Sequence, residues 1–274
     1  MAIVVLLGII FILLKEGLPI FAYTSPWKFL FGTRWYPVSD PPTFGIAPFF
    51  VSTLMITLIS TAVAVPIGVA SAAYLAEVAP KKITEAVKPI IEILAGIPSV
   101  MMGFVGLTLL SPLVQSAFNL NTGLCGLTAA IMLSLMSLPI IVSVSEDALH
   151  AVPVEFKEAS YALGATRWET VWHVCIPSAL SGIAAAIMLG VGRAIGETMT
   201  VLMVAGGALA VPVSLTDPMT TMTAAIASGI GNAVRGGLQY QALFAVGLIL
   251  FTLTLMVNIA AEKVLERQKR KFAR

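Results

Sequence analysis

Arg193 and Glu197 are charged residues inside an otherwise apolar stretch, in the sequence GVGRAIGET between Gly190 and Thr198. In a helix, their i, i+4 spacing predicts that both side chains lie on one face. Burying either charge alone in a bilayer costs at least about 2 kcal/mol, and pairing lowers that cost. One interpretation is an ion pair that stabilises the helix. The other is an anion site, in which the planar guanidinium of Arg193 binds two oxygens and Glu197 orients it or gates release.

A second concentration of polar residues is the 146–177 segment, EDALHAVPVEFKEASYALGATRWETVWHVCIP. Its pattern predicts a short helix over Pro153–Leu163, because proline suits a first turn and small or apolar residues recur at helical spacing. Gly164 is in the usual position for ending that helix. A second short helix is predicted from Thr166 to Val174, with Pro177 as its stop.

The remaining reactive side chains do not form a site. Cys125 and Cys175 are the only cysteines and fall toward opposite ends of the predicted spans, so we expect neither a disulfide nor a metal site from them. His150 and His173 lack ligand spacing. We therefore predict no metal ligand and no catalytic residue in this chain.

Composition indicates that lipid surrounds most of the protein. The chain has 58% hydrophobic and 11% charged residues, with a formal net charge of +2. A soluble domain carries about 25% charged residues, so this chain has too little polar surface to cover a globule in water. We expect membrane lipid as its surroundings and no nucleic acid as a partner.

Uncharged stretches long enough to cross a bilayer, which needs about 20 residues, predict an all-α, polytopic membrane helix bundle of six transmembrane helices. The shortest, Ala2–Leu14, is interrupted by Lys15 and Glu16 and resumes at Gly17–Tyr23. It lacks a basic n-region and a cleavage site, so we interpret it as a first transmembrane helix and not as a signal peptide. The other five predicted spans are Val51–Ala76, Ile93–Leu120, Gly123–Ser145, Val174–Gly192 and Gly236–Ala261.

The distribution of basic residues predicts the orientation of these spans. Two alternate loops and the tail are basic, which predicts that they and both termini are cytoplasmic. These residues are Lys81, Lys82, Lys88, Lys157, Arg167, Lys263, Arg267, Lys269, Arg270, Lys271 and Arg274. The opposite loops contain Lys28, Arg34 and Arg235, with Lys15 near that side.

The predicted outer loop Thr24–Pro48 is rich in aromatic residues, which favours a belt at the membrane interface. These aromatic residues are Trp27, Phe29, Phe31, Trp35 and Tyr36. Prolines within the spans predict kinks and lean toward a transporter. These prolines are Pro66, Pro98, Pro112 and Pro139.

The 146–177 segment resembles the EAA loop of binding-protein-dependent ABC permeases. That pattern is Glu-Ala-Ala, three residues, Gly, nine residues and Ile-x-Leu-Pro; Glu158, Ala159, Gly164 and Pro177 match it in register. Conservative replacements occupy its other positions. The resemblance implies that this loop docks on a separate nucleotide-binding subunit and that these four residues couple the two subunits.

The chain has no Walker A sequence, G-x-x-x-x-G-K-[ST]. We therefore expect a transport subunit without an ATPase site of its own and without a bound cofactor. ATP and magnesium would bind to the partner ATPase.

A narrower resemblance is to permeases of the phosphate-specific importer, of the PstC type. It is carried by Gly192–Gly206 (GRAIGETMTVLMVAG), Ile93–Gly103 (ILAGIPSVMMG) and Lys15–Pro19 (KEGLP). The PstA-type sister permease usually has proline soon after Gly-Glu-Thr, whereas Met199 follows here.

This resemblance implies a type I ABC importer permease fold in the plasma (inner) membrane, with Arg193 and Glu197 on the path of inorganic phosphate. It also implies four kinds of component besides lipid: this chain, a PstA-type permease, two ATP-binding subunits and an extracytoplasmic phosphate-binding protein.

The predicted organisation has three parts. Residues 1–48 hold the first helix and an outer loop, residues 49–262 the permease core with the coupling loop 146–177, and residues 263–274 a basic cytoplasmic tail. A permease for sulfate, molybdate or tungstate would share the loop but differ in the fifth span. An ion-coupled secondary transporter would need inverted repeats and more intramembrane ionisable groups.

Overall fold

The computed structural model describes residues 1–272 and is mostly helical. Two short antiparallel strands, β1 (Trp35–Tyr36) and β2 (Thr43–Phe44), lie between the second and third helices. The α-helices among residues 1–272 are α1 (Ala2–Gly17), α2 (Pro26–Phe31), α3 (Ala47–Ala73), α4 (Lys81–Gly96), α5 (Ser99–Val105), α6 (Ser111–Phe118), α7 (Gly126–His150), α8 (Val154–Ala162), α9 (Arg167–Thr170), α10 (Ile176–Ser178), α11 (Leu180–Gly196), α12 (Met199–Val204), α13 (Met222–Ile230) and α14 (Leu238–Phe272). A 3₁₀ turn, Leu18–Ala22, extends α1.

Among the described residues, five helices are long and apolar enough to cross a membrane, and a bent pair of helices brings the number to the predicted six when it is counted as one span. Five are straightforward: Ile3–Ala22, Ala47–Val78, Ser99–Phe118, Gly126–His150 and Leu238–Lys263. The sixth is a broken pair, Arg167–Ser178 and Leu180–Gly196, whose two parts are bent by 73°. The prediction of an all-α bundle with six spans is confirmed, and the protein is a multi-pass membrane protein. For the basic tail, residues 273–274 and the side chains from 264 onward lie outside the described part of the chain.

The third span begins later than the sequence predicts. It starts at Ser99 and not at Ile93, which belongs to the separate helix α4. Ile97 is extended, because the ring of Pro98 disfavours helical backbone in the residue before it. Helix α4 is amphipathic in sequence and has no buried residue. The apolar residues from Ile93 onward therefore end the amphipathic helix α4, and the prediction that they begin the third span is wrong.

In the described part of the chain, three π-helical turns each end two residues before a proline. They are Tyr74–Val78 before Pro80, Gly106–Leu110 before Pro112 and Val171–Cys175 before Pro177. In each turn the residue directly before the proline donates its N–H to the carbonyl five residues back. Proline has no N–H and its ring crowds the preceding turn, so a widened turn relieves the clash. The prediction that Pro177 ends its helix is wrong: the helix continues through α10 to Ser178.

The chain divides into two compact units. The first comprises Met1–Leu58, Ser99–Met132 and Ile195–Met256. The second comprises Ile59–Pro98, Leu133–Ala194 and the segment that begins at Val257. Helices α3, α7, α11 and α14 each contribute residues to both.

An aromatic cluster forms part of the core of the first unit. Trp35 meets Phe44 and Phe49 edge-on, with ring centroids 5.8 and 5.2 Å apart. Each such pair adds about 0.5–1.5 kcal/mol beyond the burial of apolar area. Trp35 and Phe29 are therefore core residues, which corrects their assignment to an interfacial belt. Phe44 of the same loop is buried as well, whereas Trp27, Phe31 and Tyr36 are exposed.

Close packing of α11 on α7 organises the second unit. A Cβ on Gly190 would lie 2.7 Å from Cγ1 of Ile141, and one on Gly182 would overlap Cβ of Ala148. Ser137 Oγ donates a hydrogen bond to the Gly190 carbonyl at 3.4 Å. Small residues in this helix therefore permit close contact between the helices.

Candidate functional site

Helix α8 carries the Glu158 and Ala159 of the loop pattern. It begins at Val154, after Pro153, and ends at Ala162, within one residue of the predicted bounds. None of its residues is buried. Glu146 and Asp147, which the sequence assigned to the loop, belong instead to the last turn of α7. The exposed part of the 146–177 segment therefore begins beyond α7.

Gly164 ends α8 as the sequence predicts. Its φ is +85°, a left-handed conformation that glycine adopts without strain. Its N–H donates to the Tyr161 carbonyl at 2.9 Å, and the Ala165 N–H donates to the Ser160 carbonyl at 3.2 Å. These two bonds form a Schellman motif. No atom of the described residues lies within 4 Å of a Cβ built on Gly164, so a side chain there would strain the turn without a steric clash.

The turn leads into α9, which starts with a capping box. The Thr166 N–H donates to Oε2 of Glu169 at 2.7 Å, and the Glu169 N–H donates to Oγ1 of Thr166 at 3.3 Å. The hydroxyls of Ser160 and Thr170 are 2.9 Å apart and join α8 to the end of α9. Two short helices are therefore held in a defined relation by polar contacts.

The matched loop residues are not all in one place. Glu158, Ala159 and Gly164 are exposed on or directly after α8. Pro177 lies in α10 and is half-buried. Large apolar and aromatic side chains are exposed beside the first three, which is typical of a surface that meets another protein. These side chains include Phe156, Tyr161, Leu163, Trp168 and Trp172.

Arg193 lies in the last turn of α11. Its side chain is half-buried, and its Nε is buried with no hydrogen-bond partner among the described residues. A guanidinium has five N–H donors and gains most from a planar acceptor with two oxygens. The side chain therefore retains donor capacity for an anion.

The structure corrects the expectation that Arg193 and Glu197 share one helix face. Helix α11 ends at Gly196, one residue before Glu197. The Glu197 carboxylate accepts hydrogen bonds from the N–H groups of Thr198 and Thr200, at 3.1 and 3.2 Å. It therefore caps α12, where orphan N–H groups and the positive end of the helix dipole favour an anion.

The helices α5 and α12, from the motifs Ile93–Gly103 and Gly192–Gly206, meet in the first unit. Thr200 Oγ1 donates to the Ser99 carbonyl at 2.9 Å. A Cβ on Gly103 would lie 2.7 Å from Sδ of Met203, so α5 and α12 approach closely only because Gly103 has no side chain. Thr223 Oγ1 donates to the Glu197 carbonyl at 2.7 Å, which fixes the start of α12 against α13.

Gly192 and Gly196 differ from the packed glycines of α11. Apart from the adjacent residues and the backbone of its own helix, a Cβ on either would meet no atom of the described residues within 4 Å. These two glycines therefore make no close helix contact among the described residues. The stretch around Arg193 is open on that side.

An ionic cluster lies at the end of α7, where α4 reaches it. Lys88 Nζ lies 3.1 Å from Oδ1 of Asp147 and 3.5 Å from Oε2 of the buried Glu146. The hydrogen bond to Asp147 raises the pKa of Lys88 above its ordinary value, with Glu146 adding to the effect and burial opposing it. Lys88 therefore stays charged at neutral pH and holds α4 to α7.

Sequence reasoning missed Glu77. Its carboxylate lies 2.6 Å from Nζ of Lys157 on α8, and both side chains are partly shielded from solvent. The partners are 80 residues apart in sequence, so no local sequence pattern predicts that they form a pair. The two cysteines are buried and free, and no group of three or more possible metal-ligating side chains occurs among the described residues.

Comparison with known proteins identifies the family of the chain. Residues 64–270 match the family described as binding-protein-dependent transport system inner membrane component. The chain is 37% identical to a probable ABC transporter permease protein, YqgH, of Bacillus subtilis, over 89% of this chain and 79% of that protein. It is 37% identical to the phosphate transport system permease protein PstC of Mesorhizobium japonicum, over 95% and 87% respectively. The corresponding protein of Pasteurella multocida is 35% identical, over 92% and 83%.

Solved structures show the same fold. The MetNI methionine ABC transporter in an inward-facing conformation matches with a TM-score of 0.63 and 22% identity, over 79% of this chain and 93% of that one. A bacterial ABC transporter for the import of alginate matches with a TM-score of 0.60 and 16% identity, over 93% and 97%. The fold is that of a type I ABC importer permease, as predicted. The chain belongs to the family of binding-protein-dependent transport system inner membrane components.

Proposed function

We propose that this chain is the permease subunit of an ABC importer that moves inorganic phosphate into the cell. The observation that carries the proposal is the 37% identity to a phosphate transport system permease protein, over 87% of that protein's length. The guanidinium of Arg193, whose buried Nε has no partner among the described residues, is compatible with this substrate.

Arg193 is the proposed phosphate-binding group on the path. Its buried Nε has no partner among the described residues, so an incoming oxyanion would supply acceptors that the protein does not. Phosphate offers several oxygens to the guanidinium fork. Glu197 has a different proposed role: its carboxylate holds the start of α12 beside the path, and it need not pair with Arg193.

The proposed coupling surface consists of Glu158, Ala159 and Gly164, with Pro177 at the junction toward α11. The first three are exposed on a short helix that buries none of its own residues. Such a helix is available to seat in a groove of another subunit. ATP and magnesium would bind to that subunit, because this chain has no Walker A sequence.

The proposed assembly pairs this chain with a related PstA-type permease, two ATP-binding subunits and an extracytoplasmic phosphate-binding protein. The basic loops and tail support an orientation in the plasma membrane with both termini in the cytoplasm.

Reconstitution tests the substrate. The complete complex, in proteoliposomes with the binding protein, is supplied in turn with phosphate, sulfate, molybdate and tungstate, while ATP hydrolysis and anion uptake are measured. We expect phosphate alone to stimulate hydrolysis and to be taken up. Stimulation by another oxyanion without phosphate would reassign the substrate. Uptake that follows an ion gradient and needs no ATP would favour a secondary transporter and contradict the proposal.

A further inference from the structure

The Lys157–Glu77 ion pair joins α8 to the π-helical turn that follows α3. Lys157 Nζ is 2.6 Å from Oε1 of Glu77, and the side chains are 17% and 8% exposed. Charge-assisted contacts of this length are strong, and their strength rises where water is excluded. Cys175, which is fully buried, lies within the electrostatic reach of both charges. The pair therefore lies at the edge of the second unit's apolar core, where Leu75, Val171 and Cys175 are buried.

Helix α8 depends on polar contacts for its position. It has no buried residue, so apolar burial does not hold it against the protein. Lys157 and Ser160 are three residues apart and therefore lie on one side of the helix. Lys157 binds Glu77, and Ser160 contacts the Thr170 hydroxyl at 2.9 Å. Glu158 and Ala159, between these two anchors in sequence, remain exposed.

The chain between α8 and α11 does not form one straight helix. The helices on either side of Ala179 are bent by 73°, so a displacement of α8 does not pass along one continuous helix into α11. Glu77 offers a second connection, because it belongs to the π-helical turn Tyr74–Val78 at the end of α3. π-helical turns recur at functional positions in helices, where a widened turn can be rearranged.

We infer that Lys157 and Glu77 are positioning residues that transmit movement of α8 to α3 during transport. This inference rests on the proposed function, since it requires α8 to be moved by an ATPase subunit. It assigns to α3 a role in coupling that the loop pattern, Glu158 to Pro177, does not contain. Breaking the pair would leave a desolvated charge unpaired and release α8 from α3.

The test measures the number of phosphate ions imported per ATP hydrolysed by the assembled complex in proteoliposomes. The variants are Lys157→Met, Glu77→Gln, Lys157→Arg and the charge swap Lys157→Glu with Glu77→Lys. Lys88→Met is the matched control, since Lys88 pairs with acids of α7 and not with α8. We expect each neutral variant to lower the ratio about tenfold while the complex still hydrolyses ATP, because the remaining charge loses its partner and α8 loses its link to the turn after α3. Lys157→Arg and the swap should recover most of the ratio, and Lys88→Met should keep it.

A role in folding alone would reduce the amount of assembled complex but leave the ratio unchanged. A wild-type ratio in both neutral variants would overturn the inference. If neither neutral variant assembles, the swap decides: recovery of assembly and ratio supports the pair, and failure overturns it. A wild-type complex that hydrolyses ATP without importing phosphate would contradict the proposed function instead. The variants are then measured with the oxyanion that the complex does import.

Discussion

At the residue scale, Arg193 and Glu197 have separate surroundings although they are four positions apart. The Glu197 carboxylate is engaged by two backbone N–H groups at the start of α12. The buried Nε of Arg193 has no hydrogen-bond partner in the described part of the chain. An unpaired buried donor is costly, so such groups are retained where a ligand, ion or water satisfies them. The arginine is therefore the stronger candidate for a direct contact with substrate.

Replacing Arg193 with Gln should lower phosphate uptake at least about tenfold, since a hydrogen bond to a charged group contributes about 1.5–3 kcal/mol. The complex should still assemble, which co-purification of its subunits checks. Arg193→Lys is the matched control for charge: it keeps the cation but loses the planar fork, so we expect intermediate uptake. Uptake at the wild-type rate in Arg193→Gln would return this residue to a structural role.

Replacing Glu197 with Ala should destabilise the protein by about 1 kcal/mol, because α12 loses its capping acceptor. Glu197→Gln keeps an oxygen in place and should unfold near the wild-type temperature in detergent. If the negative charge also takes part in transport, Glu197→Gln will lose uptake without losing stability. An unchanged thermal unfolding temperature in Glu197→Ala would show that the carboxylate does not support α12.

At the element scale, the turn between α8 and α9 is the feature in which local sequence and structure agree most closely. The Schellman motif at Gly164 and the capping box at Thr166 and Glu169 are built from residues within a few positions of one another. Both satisfy backbone groups that a helix end leaves unpaired. The Schellman motif and the capping box together define the turn that joins α8 to α9.

Gly164→Trp should abolish co-purification of this chain with its ATPase subunit while the protein remains inserted. A bulky side chain would protrude from the surface beside Glu158 and Ala159, and the left-handed turn would cost about 1–2 kcal/mol for a residue with a Cβ. Gly164→Asn separates the two effects, because asparagine tolerates positive φ better than most residues.

Loss of ATPase binding in Gly164→Asn would mean that the partner needs the absence of a side chain. Retention would mean that only the turn conformation matters. Gly231→Ala is the matched control, since Gly231 is also open to a Cβ but has a φ of −65°. Normal ATPase binding and uptake in Gly164→Trp would remove this turn from the coupling surface.

At the scale of the whole molecule, the proposed orientation can be tested with introduced cysteines. The native cysteines are poor reporters, because Cys125 and Cys175 are each 0% exposed. Leu163 is 89% exposed and Val213 is 93% exposed. We expect a membrane-impermeant thiol reagent to label Leu163→Cys only from the cytoplasmic side and Val213→Cys only from the outside. The reverse labelling pattern in sealed vesicles would contradict the orientation.

Residues near one another in sequence determine the membrane spans and the turn of the loop. Apolar stretches predict the spans, since lipid excludes unpaired backbone groups and therefore requires helices. Gly164, Thr166 and Glu169 predict the turn of the loop by local hydrogen bonding. The loop pattern and the flanks of Arg193 predicted the family. One apolar run is divided between two elements: Ile93 lies within α4, which ends at Gly96, and the third span begins at Ser99.

Contacts between distant residues decided the rest. Thr200 bonds to Ser99 across 101 positions and Lys157 to Glu77 across 80. Trp35, which looks like an interfacial residue by type and place, is in the core because Phe44 and Phe49 meet its ring. The break after Gly196, which separates Glu197 from the helix of Arg193, is likewise accompanied by contacts of α12 with α5 and α13. Periodicity describes one helix at a time, whereas burial and pairing depend on which surfaces the folded chain brings together.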